Sequence, residues 1–294
     1  MSERIKNSLL KKGYELGGLI GEGATAKVYS IKEITTKAEY ACKISNHTRW
    51  IAPESELLRS LHHPLFPKWK AYWEADGYGY LVMEYIAGSS LENHLKRRGA
   101  FGQEETVRIA LELADGLRYL HEKGGFIYRD LKPENIMIQP DGKARLLDLG
   151  AAAIPEDCRA GTLGYAAPEQ QLMSQEIGKS IALTPVSDIY SLGMVMHYML
   201  TGRNPLLIKE ELKPVRKYDP GIWFGLEDII CRCTGILPQE RIPGMRELMK
   251  ELSYYYRQSK IRILNQEMKA LLGKWNQQKI IFRKDIYLTD YKNL

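Results

Sequence analysis

FIYRDLKPENIMIQPDGKARLLDLG, residues 126–150, is the stretch that decides how this chain is interpreted. A short loop within it holds Asp130, Lys132 and Asn135, and Asp148 follows an apolar run a few residues later. A carboxylate can accept the proton of an attacking hydroxyl, and an ammonium can neutralise a moving phosphoryl group. Amide and carboxylate oxygens are ligands that Mg²⁺ prefers. Each residue alone is common in loops, but all four in this order predict phosphoryl transfer from a metal-bound nucleotide.

A glycine-rich segment, residues 20–28, and a lysine, Lys43, lie upstream of that loop. Glycines let a backbone approach phosphate oxygens closely, and this segment lacks the Gly-Lys-Ser/Thr ending of a P-loop. Lys43 stands on an otherwise apolar strand, and Glu54 or Glu56 on the following helix can pair with it. Such a pair would hold the ammonium against the α- and β-phosphates of a nucleotide.

Composition predicts a globular protein of the cytoplasm. Hydrophobic residues make up 44% of the chain and charged residues 27%. No apolar run approaches the roughly 18–20 residues that span a bilayer, and the N-terminus lacks a signal peptide. The four cysteines form no disulfide framework, which agrees with a reducing compartment. The net charge of +6 is modest and does not argue for nucleic acid as a partner.

The sequence pattern changes from β-rich to helical near Gly88. Short β-like runs alternate with turns over residues 14–44 and predict an antiparallel meander, and Asp76-Gly77 predicts a hairpin. Pro53 is predicted to open a helix between these two parts. Later helices are predicted at residues 103–123, 185–201, 223–234 and 243–257, and the second of these is apolar nearly all round.

Residues 14–252 resemble a eukaryotic-like Ser/Thr protein kinase. The sequence segments PEQ and SDIYSLG most resemble those of bacterial members. The motifs that carry the resemblance are the glycine-rich loop, Ala41-x-Lys43, the catalytic loop YRDLKPEN, Asp148-x-Gly150 and Ala167-Pro168-Glu169. The resemblance implies an α+β fold with two lobes, a small antiparallel β-sheet N-lobe with one helix and a larger helical C-lobe.

The expected domain organisation follows from this resemblance and from the change in pattern. We expect an N-terminal extension at residues 1–13 and a protein kinase domain at residues 14–257. The N-lobe would occupy residues 14–86 and the C-lobe residues 87–257. A basic amphipathic helical tail is expected at residues 258–294.

The resemblance also implies an activity: ATP- and Mg²⁺-dependent transfer of the γ-phosphate to Ser or Thr hydroxyls of a protein substrate. It makes Asp130 the catalytic base and gives Lys132 and Asn135 the other catalytic positions of the loop. Asn135 and Asp148 would hold the metal.

The resemblance assigns a nucleotide site to the N-lobe and the hinge. Counting back from His63-Pro64 places the helix acid that pairs with the lysine on Glu54. Met83 is the gatekeeper, and the backbones of Glu84 and Ile86 would bond the adenine. The implied nucleotide-binding residues are Ile20, Gly21, Glu22, Gly23, Ala24, Thr25, Ala26, Lys27, Val28, Ala41, Lys43, Glu54, Met83, Glu84, Ile86 and Met137.

Further positions have structural roles in the family that the chain resembles. Asp188, in the same buried segment as Gly193, is expected to bond the backbone of the catalytic loop. Arg241 is expected to pair with Glu169, and Thr162 to contact the catalytic aspartate and lysine.

Three positions depart from the family pattern. Ala26 replaces the third glycine of the loop, Tyr128 replaces the histidine before Arg129, and Leu149 replaces the phenylalanine after the metal-binding aspartate. None of these changes removes a catalytic group. The segment from residue 151 to 160 has no Ser, Thr or Tyr, so we expect Glu156 or Asp157 to supply the anion that Arg129 receives from a phosphate in the family.

Two other classes of function stay open. The departures at Ala26, Tyr128 and Leu149 suit a pseudokinase that acts as a nucleotide-binding scaffold. A small-molecule phosphotransferase would share the N-lobe and the Asp–Asn arrangement, but it has no reason to keep the Ala167-Pro168-Glu169 segment, which shapes a peptide groove in the family.

The tail carries a heptad-like stripe. Steps of three and four separate Ile261, Leu264, Met268, Leu271 and Trp275, with Lys and Arg on the other faces. The stripe suits a helix packed on the preceding lobe, a dimer seam, or contact with an anionic membrane surface or a protein partner. Two heptads do not decide among these interpretations.

Overall fold

The first part of the chain is a five-stranded antiparallel sheet with the strand order β1-β2-β3-β5-β4. The strands are β1 (Tyr14–Glu22), β2 (Lys27–Glu33), β3 (Glu39–Ser45), β4 (Trp69–Ala75) and β5 (Tyr78–Glu84). The computed structural model describes residues 3–153, 161–173, 183–207 and 212–290, and it gives the backbone alone for 262, 263, 265, 266 and 276–290. The predicted meander of the first three strands is confirmed.

The predicted hairpin joins β4 to β5. Asp76 has a φ of 52° and Gly77 a φ of 79°. Two successive residues with positive φ are what a type I′ turn requires, and the twist of this turn matches the twist of the paired strands. Ala75 and Tyr78 accordingly face each other as the last pair of the ladder.

A helix that the sequence analysis did not predict, α1 (Glu3–Lys11), covers one face of this sheet. Its Ile5 and Leu9 are buried in the same apolar cluster as the sheet side chains. The indole N–H of Trp73 on β4 donates a hydrogen bond to Ser8 Oγ at 3.1 Å. The predicted N-terminal extension therefore contributes Ile5 and Leu9 to the apolar core of the N-terminal sheet.

The opposite face of the sheet contacts α2 (Thr48–Ser60), and the prediction that Pro53 opens this helix was wrong. Pro53 lies inside the helix, where it removes one backbone donor. The extra turn before it contains Ile51, which is 2% exposed. Burying an isoleucine side chain contributes about 1.5–3 kcal/mol, which is comparable with the cost of about 3 kcal/mol for a proline inside a helix.

The rest of the chain is mainly helical. Its helices are α3 (Leu91–Arg98), α4 (Gln103–Gly124), α5 (Gly150–Ala153), α6 (Pro168–Met173), α7 (Val186–Thr201), α8 (Phe224–Cys233) and α9 (Met245–Asp290). Three short strands, β6 (Ser89–Ser90), β7 (Ile136–Ile138) and β8 (Ala144–Leu146), form a second antiparallel sheet. Helix α7 is buried nearly all round, as its sequence predicts.

The chain divides into two units, Met1–Leu252 and Ser253–Leu294. The first unit has a β-sheet N-terminal part and a larger helical part, so the predicted α+β architecture with two lobes is confirmed. Within the second unit, the described residues 253–290 are the C-terminal part of α9. The boundary predicted at residue 257 stays a prediction. No helix in the described part of the chain is both long enough and apolar enough to cross a membrane.

Candidate active site

Lys43 on β3 connects two carboxylates from distant parts of the sequence. Its Nζ lies 2.8 Å from Oε1 and 2.8 Å from Oε2 of Glu54 on α2. The same Nζ lies 2.8 Å from Oδ1 of Asp148, which comes directly after the segment containing β8. Glu54 rather than Glu56 is therefore the partner of Lys43, and the three side chains form one charged cluster beside the sheet.

Burial and charge shift the pKa values of this cluster in different directions. Burial raises the pKa of Glu54 to about 7, although the Lys43 ammonium opposes this shift. Burial also lowers the pKa of Lys43, but the carboxylates of Glu54 and Asp148 outweigh it and hold that pKa above its ordinary value. Asp148, whose side chain is 47% exposed, has a lowered pKa because attraction to Lys43 outweighs its desolvation. Lys43 is thus a fixed cation at neutral pH.

The catalytic loop brings a second polar group together around Asp130. Its Oδ1 accepts a hydrogen bond from Thr162 Oγ1 at 2.7 Å, and Lys132 Nζ lies 2.8 Å from its Oδ2. Lys132 Nζ also lies 2.8 Å from Thr162 Oγ1. The amide nitrogen of Asn135 donates to the Asp130 carbonyl at 2.9 Å and to its Oδ2 at 3.2 Å. The prediction that Thr162 contacts the catalytic aspartate and lysine is confirmed.

Asp188 on α7 anchors the backbone that carries the loop. Its Oδ2 accepts the N–H of Tyr128 and its Oδ1 the N–H of Arg129, both at 2.8 Å. His121 Nε2 is a third contact, 2.8 Å from Oδ2. Arg129 has a φ of 67°, which is uncommon for a residue with a side chain, and the fully buried Asp188 stabilises this conformation. The predicted role of Asp188 is confirmed.

Tyr128 and Leu149 occupy buried positions at two of the departures from the family pattern. Tyr128 is fully buried and Leu149 is 2% exposed. The Tyr128 hydroxyl donates a hydrogen bond to the carbonyl oxygen of Leu147, the residue before Asp148. Asp148 itself has a φ of 60°. The tyrosine therefore ties the catalytic loop to the backbone that presents the second acid.

The glycine-rich segment is the turn between β1 and β2. Gly21 pairs with Val28 in the ladder, and Glu22 pairs with Lys27, whose Nζ lies 2.8 Å from Glu22 Oε1. The Gly23 N–H donates to the Ala26 carbonyl at 2.9 Å. The other predicted members, Ile20, Ala24 and Thr25, are exposed on the same hairpin. The segment thus consists of the end of β1, the start of β2 and the short turn between them.

The residues predicted to contact adenine come from both sheets. Ala41 pairs with Met83 across β3 and β5, and Met137 belongs to β7. Ile86 follows β5 and is buried. The hinge acid Glu84 ends β5.

The side chain of Glu84 makes a bidentate ion pair that the sequence analysis did not identify. Arg145 on β8 contacts its two carboxylate oxygens at 3.2 and 2.7 Å. A third bond of 3.0 Å runs from the same guanidinium to the carbonyl of Phe66. The backbone N–H of Lys68 donates to Glu84 Oε2 at 3.0 Å. The pair joins residues 61 positions apart, so no local pattern reveals it.

A buried ion pair supports the segment after the catalytic loop. Arg241 contacts both carboxylate oxygens of Glu169 at 2.7 Å. Ser187 Oγ donates to Glu169 Oε1, also at 2.7 Å. This pairing, expected from the sequence, is confirmed. Glu156 and Asp157, expected to supply an anion to Arg129, lie outside the described residues.

The donor set fits a magnesium ion that is held partly by a nucleotide. The described residues contain no group of three or more His, Cys, Asp or Glu able to hold a metal alone. Mg²⁺ is commonly bound by one or two protein oxygens together with substrate phosphates. Asp148 offers a partly exposed carboxylate. Because the amide nitrogen of Asn135 is held by Asp130, its amide oxygen is the group that can face a metal.

Residues 14–269 match the family described as protein kinase domain. Among similar proteins, the serine/threonine-protein kinase AtPK1/AtPK6 of Arabidopsis thaliana is 31% identical over 207 residues, 66% of this chain and 43% of that protein. The serine/threonine-protein kinase cds1 of Schizosaccharomyces pombe is 30% identical over 271 residues, 82% of this chain and 58% of that protein. The CBL-interacting protein kinase 21 of rice (Oryza sativa subsp. japonica) is 31% identical over 258 residues, 79% of this chain and 48% of that protein.

The match to the family covers most of the chain, so the chain belongs to the protein kinase family. It spans about half the length of the curated relatives that it matches.

Proposed function

We propose that the chain is an ATP- and Mg²⁺-dependent Ser/Thr protein kinase in which Asp130 is the catalytic base. The observation that carries the proposal is the cluster around Lys43, whose Nζ lies 2.8 Å from both Glu54 and Asp148. In protein kinases the ion pair between this lysine and the helix glutamate, together with the metal-binding aspartate, makes the site competent. The names of the relatives support Ser/Thr as the acceptor residues.

In this proposal Asp130 accepts the proton of the substrate hydroxyl. Its carboxylate is held by Thr162 and Lys132, so it is oriented before the substrate arrives. Lys132 also carries positive charge to the place where the transferred group passes, and positioning and charge neutralisation are the main catalytic terms in phosphoryl transfer. Thr162 contacts both side chains and thereby links them to the segment that precedes α6.

We assign the nucleotide to the cleft bounded by the glycine-rich turn, Lys43 and the hinge. Lys43 would pair with the α- and β-phosphates. Val28, Ala41 and Met137 would sandwich the adenine ring, and the backbones of Glu84 and Ile86 would bond its edge. Asp148 and Asn135 would hold Mg²⁺, which supplies charge neutralisation between the phosphates. A protein with a Ser or Thr acceptor is the proposed substrate, and the cytoplasm stays the predicted compartment.

The test is transfer of radiolabelled γ-phosphate to a generic protein substrate, with Asp130→Ala as the control. We expect incorporation into Ser and Thr, and a loss of about 10²–10⁴-fold in the variant because the base is removed. Nucleotide binding, measured as thermal stabilisation by Mg²⁺-ATP, should persist in the variant, since Asp130 is not proposed to bind the nucleotide.

The two other classes give different outcomes in the same assay. A pseudokinase would bind Mg²⁺-ATP and transfer nothing at any substrate concentration. A small-molecule phosphotransferase would label free sugars or aminoglycosides and leave protein unlabelled. Either result would overturn the proposal.

A further inference from the structure

The net positive charge of the chain comes entirely from its second unit. Residues 253–294 contain nine lysines and arginines and three acids, a net charge of +6, which equals the formal net charge of the whole chain. Residues 1–252 hold the remaining 33 basic and 33 acidic residues and are formally neutral. This uneven distribution of net charge predicts an anionic partner for the second unit rather than for the first.

The same unit presents an apolar stripe along α9. Its members recur at steps of three, four and one, so they fall within about 100° of helix circumference at 100° per residue. They are 50–66% exposed: Ile261, Leu264, Met268, Leu271, Leu272 and Trp275. The stripe from the first to the last member is about 21 Å long at 1.5 Å per residue.

Cations flank this stripe. Lys260, Lys269 and Lys274 are exposed on the same helix, against the single acid Glu267 in the stretch from Lys260 to Trp275. An apolar face of leucine and tryptophan beside a lysine-rich polar face, with low overall hydrophobicity, is typical of a helix that lies in the plane of a membrane surface. None of the described helices is long and apolar enough to cross a membrane. This helix would therefore lie on the membrane surface.

The charges do not suit pairing with a second copy. With Ile261 and Met268 at a positions, a parallel coiled coil would place Glu267 opposite Leu272 of the other copy rather than opposite a cation. The described stripe also extends over only two heptads, fewer than the three or four that indicate a coiled coil.

We propose that the second unit, Ser253–Leu294, binds the surface of an anionic lipid bilayer. The apolar stripe enters the boundary between headgroups and acyl chains, and the flanking lysines contact the anionic headgroups. The formally neutral first unit is thereby held at the surface, where phosphotransfer to membrane-associated proteins is favoured. Surface binding does not depend on the proposed phosphotransfer activity.

The test is flotation of the full chain with vesicles, without nucleotide. Vesicles of phosphatidylcholine with about 30 mol% phosphatidylserine are compared with pure phosphatidylcholine. We expect binding to the anionic vesicles to be at least about tenfold stronger, and to weaken when salt rises from about 0.1 M to about 0.5 M.

Two variants separate the apolar stripe from general charge effects. Leu264→Gln combined with Leu271→Gln makes the stripe polar without changing the net charge and should reduce binding to anionic vesicles at least about tenfold. Ala270→Gln, nine residues after Ile261 and half a turn away from it, adds the same polar group to the opposite face and is the matched control. It should reduce binding by less than about threefold. Thermal unfolding of both variants establishes that the chain still folds.

Three results would overturn the proposal: no binding to anionic vesicles, equal binding to neutral ones, or equal loss in both variants. A solution mass of twice 33.7 kDa that returns to 33.7 kDa in the double variant, with no vesicle binding, would assign the stripe to a dimer instead. Because vesicle binding is measured without nucleotide, its failure is distinguishable from absence of kinase activity.

Discussion

Lys43 lies 2.8 Å from both carboxylate oxygens of Glu54, a buried residue of α2, and the lysine side chain is itself only 12% exposed. Charged side chains in such a position are stable only when they are paired, because desolvation penalises each of them alone. The carboxylate of Asp148 contacts the same ammonium. The protonation state of Glu54 therefore decides how strongly Lys43 is attracted to Glu54 and how strongly to Asp148.

We predict a dependence of kcat/KM for ATP on the ionisation of Glu54. Burial raises the pKa of Glu54 to about 7. As pH rises through about 7, Glu54 loses its proton and gains full attraction to Lys43, so kcat/KM should rise; this parameter reports ionisations of the free enzyme. Glu54→Gln should remove this rise of kcat/KM with pH. It should also lower kcat/KM about 10–100-fold, because Lys43 is no longer held in place. An unchanged rise of kcat/KM near pH 7 in the variant would contradict the assignment of this ionisation to Glu54.

The raised pKa of Glu54 has the opposite effect on the free energy of unfolding, which decreases as pH rises. The ordinary pKa of Glu54 is 4.5, so between pH 4.5 and about 7 the folded state binds this proton more tightly than the unfolded state does. The contribution of Glu54 to the free energy of unfolding therefore decreases as pH rises across that window. Urea unfolding at the two ends of the window should give a smaller difference for Glu54→Gln than for the original chain.

Tyr128→Phe should destabilise the first unit. The change removes the hydroxyl that donates to the carbonyl of Leu147 and leaves a buried acceptor without this partner. The expected loss is about 1–3 kcal/mol in the free energy of unfolding, measured by urea titration. Tyr85→Phe makes the same chemical change on a residue that is 37% exposed and should cost less than about 0.5 kcal/mol. Equal losses in the two variants would show that the hydrogen bond contributes nothing.

Arg145→Met should weaken ATP binding more than it slows turnover. The guanidinium holds Glu84 at the end of β5 and the carbonyl of Phe66, so its loss frees the hinge that is proposed to bond adenine. We expect KM for ATP to rise about three- to tenfold with a smaller change in kcat, the pattern of lost uniform binding. Arg98→Met breaks a half-exposed ion pair with Glu105 and serves as the control. A fall in kcat with KM unchanged would place Arg145 in the chemical step instead.

Leu9→Ala should show that α1 is part of the N-terminal core. Leu9 is fully buried in the cluster on the face of the sheet. Its truncation should cost about 2–5 kcal/mol of unfolding free energy. Leu10→Ala, one position along the same helix where the side chain is 51% exposed, should cost less than about 0.5 kcal/mol. Similar losses in both would mean that α1 contributes only through helix propensity.

Local patterns were sufficient to predict most elements of the fold. The hairpin at Asp76-Gly77 follows from two residues that tolerate positive φ. The burial of α7 follows from an apolar sequence on all sides of a helix. The start of α2 did not follow from sequence, because Pro53 is a strong local signal whose cost is offset by burial of Ile51. Helix α1 was not predicted because it has only two buried apolar side chains, Ile5 and Leu9, and their partners lie on strands elsewhere in the chain.

The sequence by itself determined the chemical groups of the site, since motif order fixes Asp130, Asn135 and Asp148 on loops that follow particular strands and helices. The resemblance to the family also predicted the pairs Lys43–Glu54 and Arg241–Glu169, whereas two further contacts were decided only by the tertiary structure. Lys43 and Asp148 are 105 positions apart, and Glu84 and Arg145 are 61 apart. Contacts of this kind depend on how sheets and helices pack in three dimensions. The sequence pattern of a helix or strand shows which of its residues share a face, but it does not show which residue of another element that face contacts.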